Sequence, residues 1–306
     1  MHPSPSPSSV LLVIAHGSRD PRHAATVQAL TARVRALRPG LRVEASFLDF
    51  NAPSVESELD RLAAQGEREV VALPLLLTRA FHAKADIPAV LDAASVRLPG
   101  LRIRRAKVLG PSPLLLAAVQ RRLEEALHDA GLRPRDKSST GVVLASAGST
   151  DPEAIAVIAE IARELRNTGW CSVRPAFASA ALPRTEDAVR ALRTEPGVKR
   201  VAVAPYVLAP GFLPDRIARG AAEADLLAQV LGDCAELAHL VVRRYEAAAR
   251  PRRAVPGPVP ARTVAGAVAS PPASAATAAR RSHRAAPTPA ARRRGGLIVL
   301  PSGRAG

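Results

Sequence analysis

The stretch "LLVIAHGSRDP" (11–21) sets five apolar residues directly ahead of a histidine, a glycine and a serine. An unbroken apolar run of this length marks a parallel strand covered on both faces, because such a strand has no solvent side on which to alternate. "VLLVIA" (10–15) reads as that strand. Over 22–38, apolar Val27, Leu30, Val34 and Leu37 recur at helical spacing. "LRVEASFL" (41–48) reads as a second strand, and "SVESELDRLAAQG" (54–66) as a helix stopped by Gly66. "EVVALPLLL" (69–77) reads as a third strand and "IPAVLDAASVRL" (87–98) as a helix. "LRIRRAKVL" (101–109) then reads as a strand, and "SPLLLAAVQRRLEEALHDAG" (112–131) as a helix. Alternating strands and helices of this length predict an α/β fold built on a parallel sheet flanked by helices.

The same pattern returns after a polar break, "RPRDKSST" (133–140). "GVVLASAGSTDP" (141–152) echoes "SVLLVIAHGSRDP" (9–21), with His16-Gly-Ser-Arg-Asp-Pro matched to Ala147-Gly-Ser-Thr-Asp-Pro at an offset of 131. That offset also pairs Pro74 with Pro205 and Phe81 with Phe212. Farther on, "LGPSPLLLAAVQRRLEEA" (109–126) parallels "LGDCAELAHLVVRRYEAA" (231–248). The chain therefore reads as two similar α/β units. Its expected parts are a disordered leader (1–9), a first unit carrying the active site (10–132) and a linker (133–140). A degenerate second unit (141–249) and a disordered Ala/Pro/Arg-rich tail (250–306) complete it.

Charge narrows the classes of function. The net charge is +16, but from Arg250 onward there are 11 Arg and no Lys, Asp or Glu, which leaves +5 for residues 1–249. The body is only mildly basic, so no specific nucleic-acid role is expected, and the tail reads as solvated chain. Cys171 and Cys234 form no CxxC pair and imply no disulfide framework. The N-terminus "MHPSPSPSSV" lacks a basic n-region, and no stretch is long and apolar enough to span a membrane. A cytoplasmic protein is expected. No Walker A loop and no GxGxxG fingerprint occur, so neither ATP nor NAD is expected.

Ligands of parallel α/β sheets bind beyond the carboxyl ends of the strands. His16 lies just past the first strand, Asp49 just past the second in "SFLDFNAP", and His82 a few residues past the third in "PLLLTRAFHAKADIP". Three consecutive strands thus deliver two imidazoles and a carboxylate to one edge. That set suits a borderline divalent metal such as Co²⁺, Ni²⁺, Fe²⁺ or Zn²⁺, and it equally suits general bases. Gly17 permits a sharp turn, and Ser18 or Asp20 can cap the helix that starts near Pro21. His23 falls on that helix and is expected to be peripheral. His128 and His239 fall in helix patterns and read as surface or packing residues. The second copy has Ala147 in place of His16 and Leu213 in place of His82, as expected of one working site and one scaffold copy.

"AHGSRDP" followed about sixty residues later by "PLLLTRAFHAKADIP" resembles the sirohydrochlorin chelatase family, the class II chelatases of the CbiX and SirB type. The resemblance covers roughly residues 10–249, in the long form with two fused halves, and extends to "YVLAPGFLPDRI" (206–217). It implies ATP-independent insertion of a divalent metal, Co²⁺ or Fe²⁺ and also Ni²⁺, into sirohydrochlorin. It implies that His16 and His82 are the catalytic, metal-handling pair. Asp49 matches a position where the family often carries a carboxylate, commonly Glu. Phe81 stands where Tyr is frequent, so that position offers no hydroxyl.

The chemistry agrees. A macrocycle must lose two pyrrole N–H protons to accept a divalent metal, and a neutral imidazole can bind the metal or take a proton. Sirohydrochlorin carries eight carboxylates, for which Ser18, Arg19, Arg79 and Lys84 are the candidate partners. A monomer with an internal pseudo-dimer is expected. Two other classes use the same residues. One is a non-catalytic metal or tetrapyrrole carrier, which saturates at one equivalent. The other is histidine phosphotransfer, whose usual "RHG" is missing here because Ala15 precedes the histidine.

Overall fold

β1 (Val10–Ala15) is buried at all six positions, as its unbroken apolar run requires. It lies inside a four-stranded parallel sheet of order β2-β1-β3-β4, where β2 is Val43–Phe47, β3 Glu69–Pro74 and β4 Arg102–Arg105. Leu11 is in register with Val43 on one side and Val71 on the other. The computed structural model describes residues 9–79 and 85–250. His82, Phe81 and Lys84 lie outside the described residues, as do the leader through residue 8 and the tail from 251.

The second sheet repeats the first. Its order is β6-β5-β7-β8, with β5 Thr140–Ser146, β6 Ser172–Phe177, β7 Arg200–Tyr206 and β8 Leu226–Leu227. Two parallel sheets flanked by helices are the α/β architecture expected from the repeat. β4 is shorter than the apolar pattern of 101–109. Past Arg105 the regular ladder stops, and only single hydrogen bonds continue, from Ala106 N–H to Ala72 and from Leu109 N–H to Leu76. Val108 and Leu109 are buried by packing instead of by pairing.

Eight helices flank the sheets among the described residues. α1 (Pro21–Leu37), α2 (Val55–Ala64), α3 (Asp86–Arg97) and α4 (Pro113–Asp129) follow the first four strands. α5 (Pro152–Arg166), α6 (Thr185–Arg193), α7 (Phe212–Gly220) and α8 (Ala235–Ala249) follow the next four. The polar break contains a short 3-10 helix, Pro134–Ser139. α1 and α5 start alike: Asp20 and Asp151 each accept the N–H two residues on, and Pro21 and Pro152 take the first helical position, where no N–H is needed.

The last helix of each half packs on the other half. α4 lies on β7 and β8, and α8 lies on β3, β4 and α1. Leu123 and Leu127 of α4 and Leu237, Val241 and Tyr245 of α8 share one buried cluster with Leu11, Leu73, Val142 and Ala202. Arg104 of β4 donates to the carbonyl of Arg250 at 3.1 Å, Arg244 of α8 donates to Leu109 O at 2.7 Å, and Arg121 of α4 meets Glu236 at 2.9 Å. Ser9, read from composition as leader, is buried where its Oγ sits 3.1 Å from the Tyr245 hydroxyl. The outer face of each sheet has its own smaller core, against α2 and α3 in the first half and α6 and α7 in the second.

Candidate active site

The site is built where β1 runs out. Ala15 O accepts from Leu48 N–H at 3.0 Å and His16 O from Asp49 N–H at 2.9 Å, so the β1 and β2 ends continue side by side past the strands. The chain then turns at Gly17 with φ +97°. A Cβ there would sit 1.9 Å from Asp49 O, so only glycine allows the two loops to close on each other. Ser18 N–H caps the contact by donating to Asn51 Oδ1 at 2.8 Å. Gly148 repeats the arrangement in the second half, with φ +95° and Ser179 O at the same 1.9 Å from a would-be Cβ.

This turn sets His16 in the wall of a cavity of about 380 Å³ shared by the two halves. Leu75, Leu77 and Thr78 beyond β3 continue the wall, and Ala147, Leu208 and Leu213 line it from the second half. Ala147 is the repeat counterpart of His16, and Leu213 that of His82. No Asp, Glu, Lys or Arg lines the cavity among the described residues.

His23 is in the same wall. It was expected to be peripheral because it lies on α1. The Asp20 cap puts it in the third helical position, and that first turn faces the carboxyl edge of the sheet. Its ring lies 6.5 Å from that of Phe47. Burial, with the nearby His16 adding to it, holds its imidazole below the ordinary histidine range. Its repeat counterpart Ala154 also lines the cavity. The readable signal is position: three residues past the Asp20 cap, in the first turn of the helix that leaves a loop already assigned to the site. Tyr206, at the end of β7, brings a phenol whose pKa burial pushes up.

The other candidates lie outside this wall. Asp49 is exposed, and its Oδ1 accepts the N–H of Phe50 at 2.8 Å within its own loop. Ser18 and Arg19 line a neighbouring cleft at the rim, with Phe50 from the first half and Phe212 and Asp215 from the second. Ser18 Oγ accepts from Asp20 N–H, while Asp20 is the residue that caps α1. The Arg19 guanidinium stands 5.0 Å over the Phe50 ring, which is itself 6.3 Å from the ring of His16. Arg22 bridges the halves at this rim through Asp215 at 2.8 Å. Arg79 is exposed and faces a separate cleft with Arg105, Lys107 and Arg244. Among the described residues no three His, Cys, Asp or Glu side chains gather closely enough to hold a metal ion.

Comparison with known proteins places both halves. The CbiX family model matches residues 10–126 and again 141–248. A sirohydrochlorin cobaltochelatase of Priestia megaterium is 29% identical over 209 residues, 68% of this chain and 66% of that protein. The sirohydrochlorin ferrochelatase of Bacillus subtilis (strain 168) is 30% identical over 210 residues, 68% of this chain and 77% of the relative. The solved structure of SirB from Bacillus subtilis with Fe3+ superposes with a TM-score of 0.67 at 26% identity, covering 79% of this chain and 96% of that one.

Proposed function

The chain belongs to the CbiX family, and from that membership we propose that it is a sirohydrochlorin chelatase, inserting Co²⁺ or Fe²⁺ into sirohydrochlorin. The observation that carries the proposal is the family match over both halves, joined to a shared cavity with His16 in its wall. The metal is a substrate here. His16 and His82 receive it, and Asp49 completes or orients its coordination from the loop that closes on Gly17. Imidazole nitrogen binds Co²⁺ and Fe²⁺ well enough to hold them and leaves open positions for transfer.

The halves divide the work. Residues 10–132 supply the imidazoles, and 141–249 supply the facing wall, from which the repeat has removed both histidines. A largely apolar wall suits the flat face of a tetrapyrrole, while carboxylates need cations at the mouth. Arg19 meets that need at the rim, where the Ser18 hydroxyl can add a hydrogen bond, and Arg79 and Lys84 flank His82 in sequence. Insertion exchanges two protons for one divalent ion, and we take it to proceed without ATP, as the resemblance implies. Among the described residues no helix is long and apolar enough to cross a membrane, and we place the reaction in the cytoplasm. The chain acts as a monomer whose repeat stands in for a dimer's two-fold.

Anaerobic absorbance spectroscopy of sirohydrochlorin tests the activity, with Co²⁺, Fe²⁺ and Ni²⁺ offered separately at substoichiometric protein. Many turnovers above the spontaneous rate are expected, with His16→Ala and His82→Ala abolishing them in folded protein. A spectral change that stops at one equivalent identifies a carrier instead.

A further inference from the structure

Insertion needs an acceptor for the pyrrole protons, a role that His16 or His82 could take only by giving up the metal. An imidazole nitrogen that coordinates a metal has given its lone pair to the metal and has none for a proton. If His16 and His82 both hold the incoming ion, another base must stand in the cavity. The described wall offers few. It contains no carboxylate and no amine, and its hydroxyls on Thr78, Ser146, Ser149 and Tyr206 are far too weak as bases. His23 remains. Its Nδ1 is buried away from the cavity without a hydrogen-bond partner among the described residues, so the ring meets the cavity through its other edge. Its place in the first turn of α1 favours the neutral, proton-accepting ring, because the positive end of a helix opposes an imidazolium.

We propose that His23 is the base of the reaction, taking the pyrrole protons from the macrocycle while His16 and His82 handle the metal. Resting on the chelatase reading, it adds a catalytic residue to it. In each step a pyrrole N–H bond breaks. The electron pair stays on the macrocycle nitrogen and becomes its bond to the metal, and the proton goes to Nε2 on the cavity side of the neutral His23 ring. His23 passes the proton to water and takes the second in turn. The macrocycle loses two protons and gains one M²⁺, with no change of oxidation state. Ala154, the counterpart in the second half, lines the same cavity without a base, so the asymmetry of the repeat covers proton removal as well as metal handling.

The test is His23→Ala beside His23→Gln, with wild type measured first. Ala stands at the matching turn of α5, so it is compatible with this helix start, and Gln keeps side-chain bulk should Ala fail to fold. Both variants are expected to lose about 10²-fold or more in kcat for metal insertion, the usual scale of general-base catalysis. KM for sirohydrochlorin, and binding of the metal-free macrocycle followed by absorbance, are expected to stay within about threefold. Added imidazole is expected to restore part of the kcat of His23→Ala, dependent on its concentration. A kcat within about threefold of wild type in either variant overturns the assignment. So does a loss confined to KM, or one that added imidazole leaves unmoved. Absence of turnover in wild type sinks the chelatase reading itself and takes this inference with it, whereas turnover undiminished in the variants sinks only the role of His23.

Discussion

Two residues seven apart decide how much of the site is legible in sequence. His16 is legible because a strand ends in front of it, and the strand's edge is where such sheets bind ligands. His23 is not, because helical periodicity says which face a residue takes but not what lies beyond the first turn. There a helix borders the sheet edge, and packing against Phe47 and the facing half decides burial. That burial has a consequence for stability. The folded protein holds the His23 imidazole below its ordinary pKa, so the unfolded chain binds the proton more readily. Stability is full above the unfolded value near pH 6.5 and falls as the pH drops below it. His23→Gln removes this contribution. Urea unfolding from pH 7 down to pH 5 should therefore show a shallower loss of stability in the variant than in wild type. An identical loss in both would mean that His23 titrates alike in the folded and unfolded chains.

At the scale of elements, strands and helices follow closely from apolar patterning, because β1 and β5 are covered on both faces and α1, α4 and α5 carry Asp-Pro or Ser-Pro starts. The ends of β3 and β4 are less legible. Apolar patterning registers burial, and residues such as Val108 and Leu109 are buried without joining a ladder. Least legible is where α4 and α8 dock. Their stripes say that each helix has a buried face, but not which sheet covers it. The exchange makes α8 a structural part of the half that carries His16. Leu237 of α8 is fully buried, and Leu237→Ala should cost about 2–5 kcal/mol. Because α8 covers β3 and β4, the loss should appear as one earlier transition for the whole protein. A separate, early melting of the second half alone, resolved by near-UV signals of Trp170 against activity, would contradict this coupling.

The described residues are therefore a pair of sheets tied by crossed helices, and neither 10–132 nor 141–249 owns a complete core. Without α8 the first half would expose the surface now covered by Leu237, Leu240, Val241 and Tyr245, at about 1.5–3 kcal/mol for each large apolar side chain. That sum is comparable with the entire stability of an ordinary domain, about 5–15 kcal/mol. Residues 10–132 expressed alone should aggregate or pair with a second copy, as size-exclusion chromatography would show; a well-folded monomer would refute the shared core. Removing 250–306, by contrast, should leave the rate of metal insertion unchanged.

The crossing also sets a schedule for the chain as it is made. When the ribosome has finished α4, the strand that presents His16 is already outside, but its covering helix is still more than a hundred residues from being synthesised. At about 5–20 residues per second, that leaves an open apolar sheet for on the order of ten seconds. Over that interval the nascent first half must be shielded by α4 borrowed from its own end, or by a chaperone. The native cover reaches β3 only after the last helix leaves the exit tunnel.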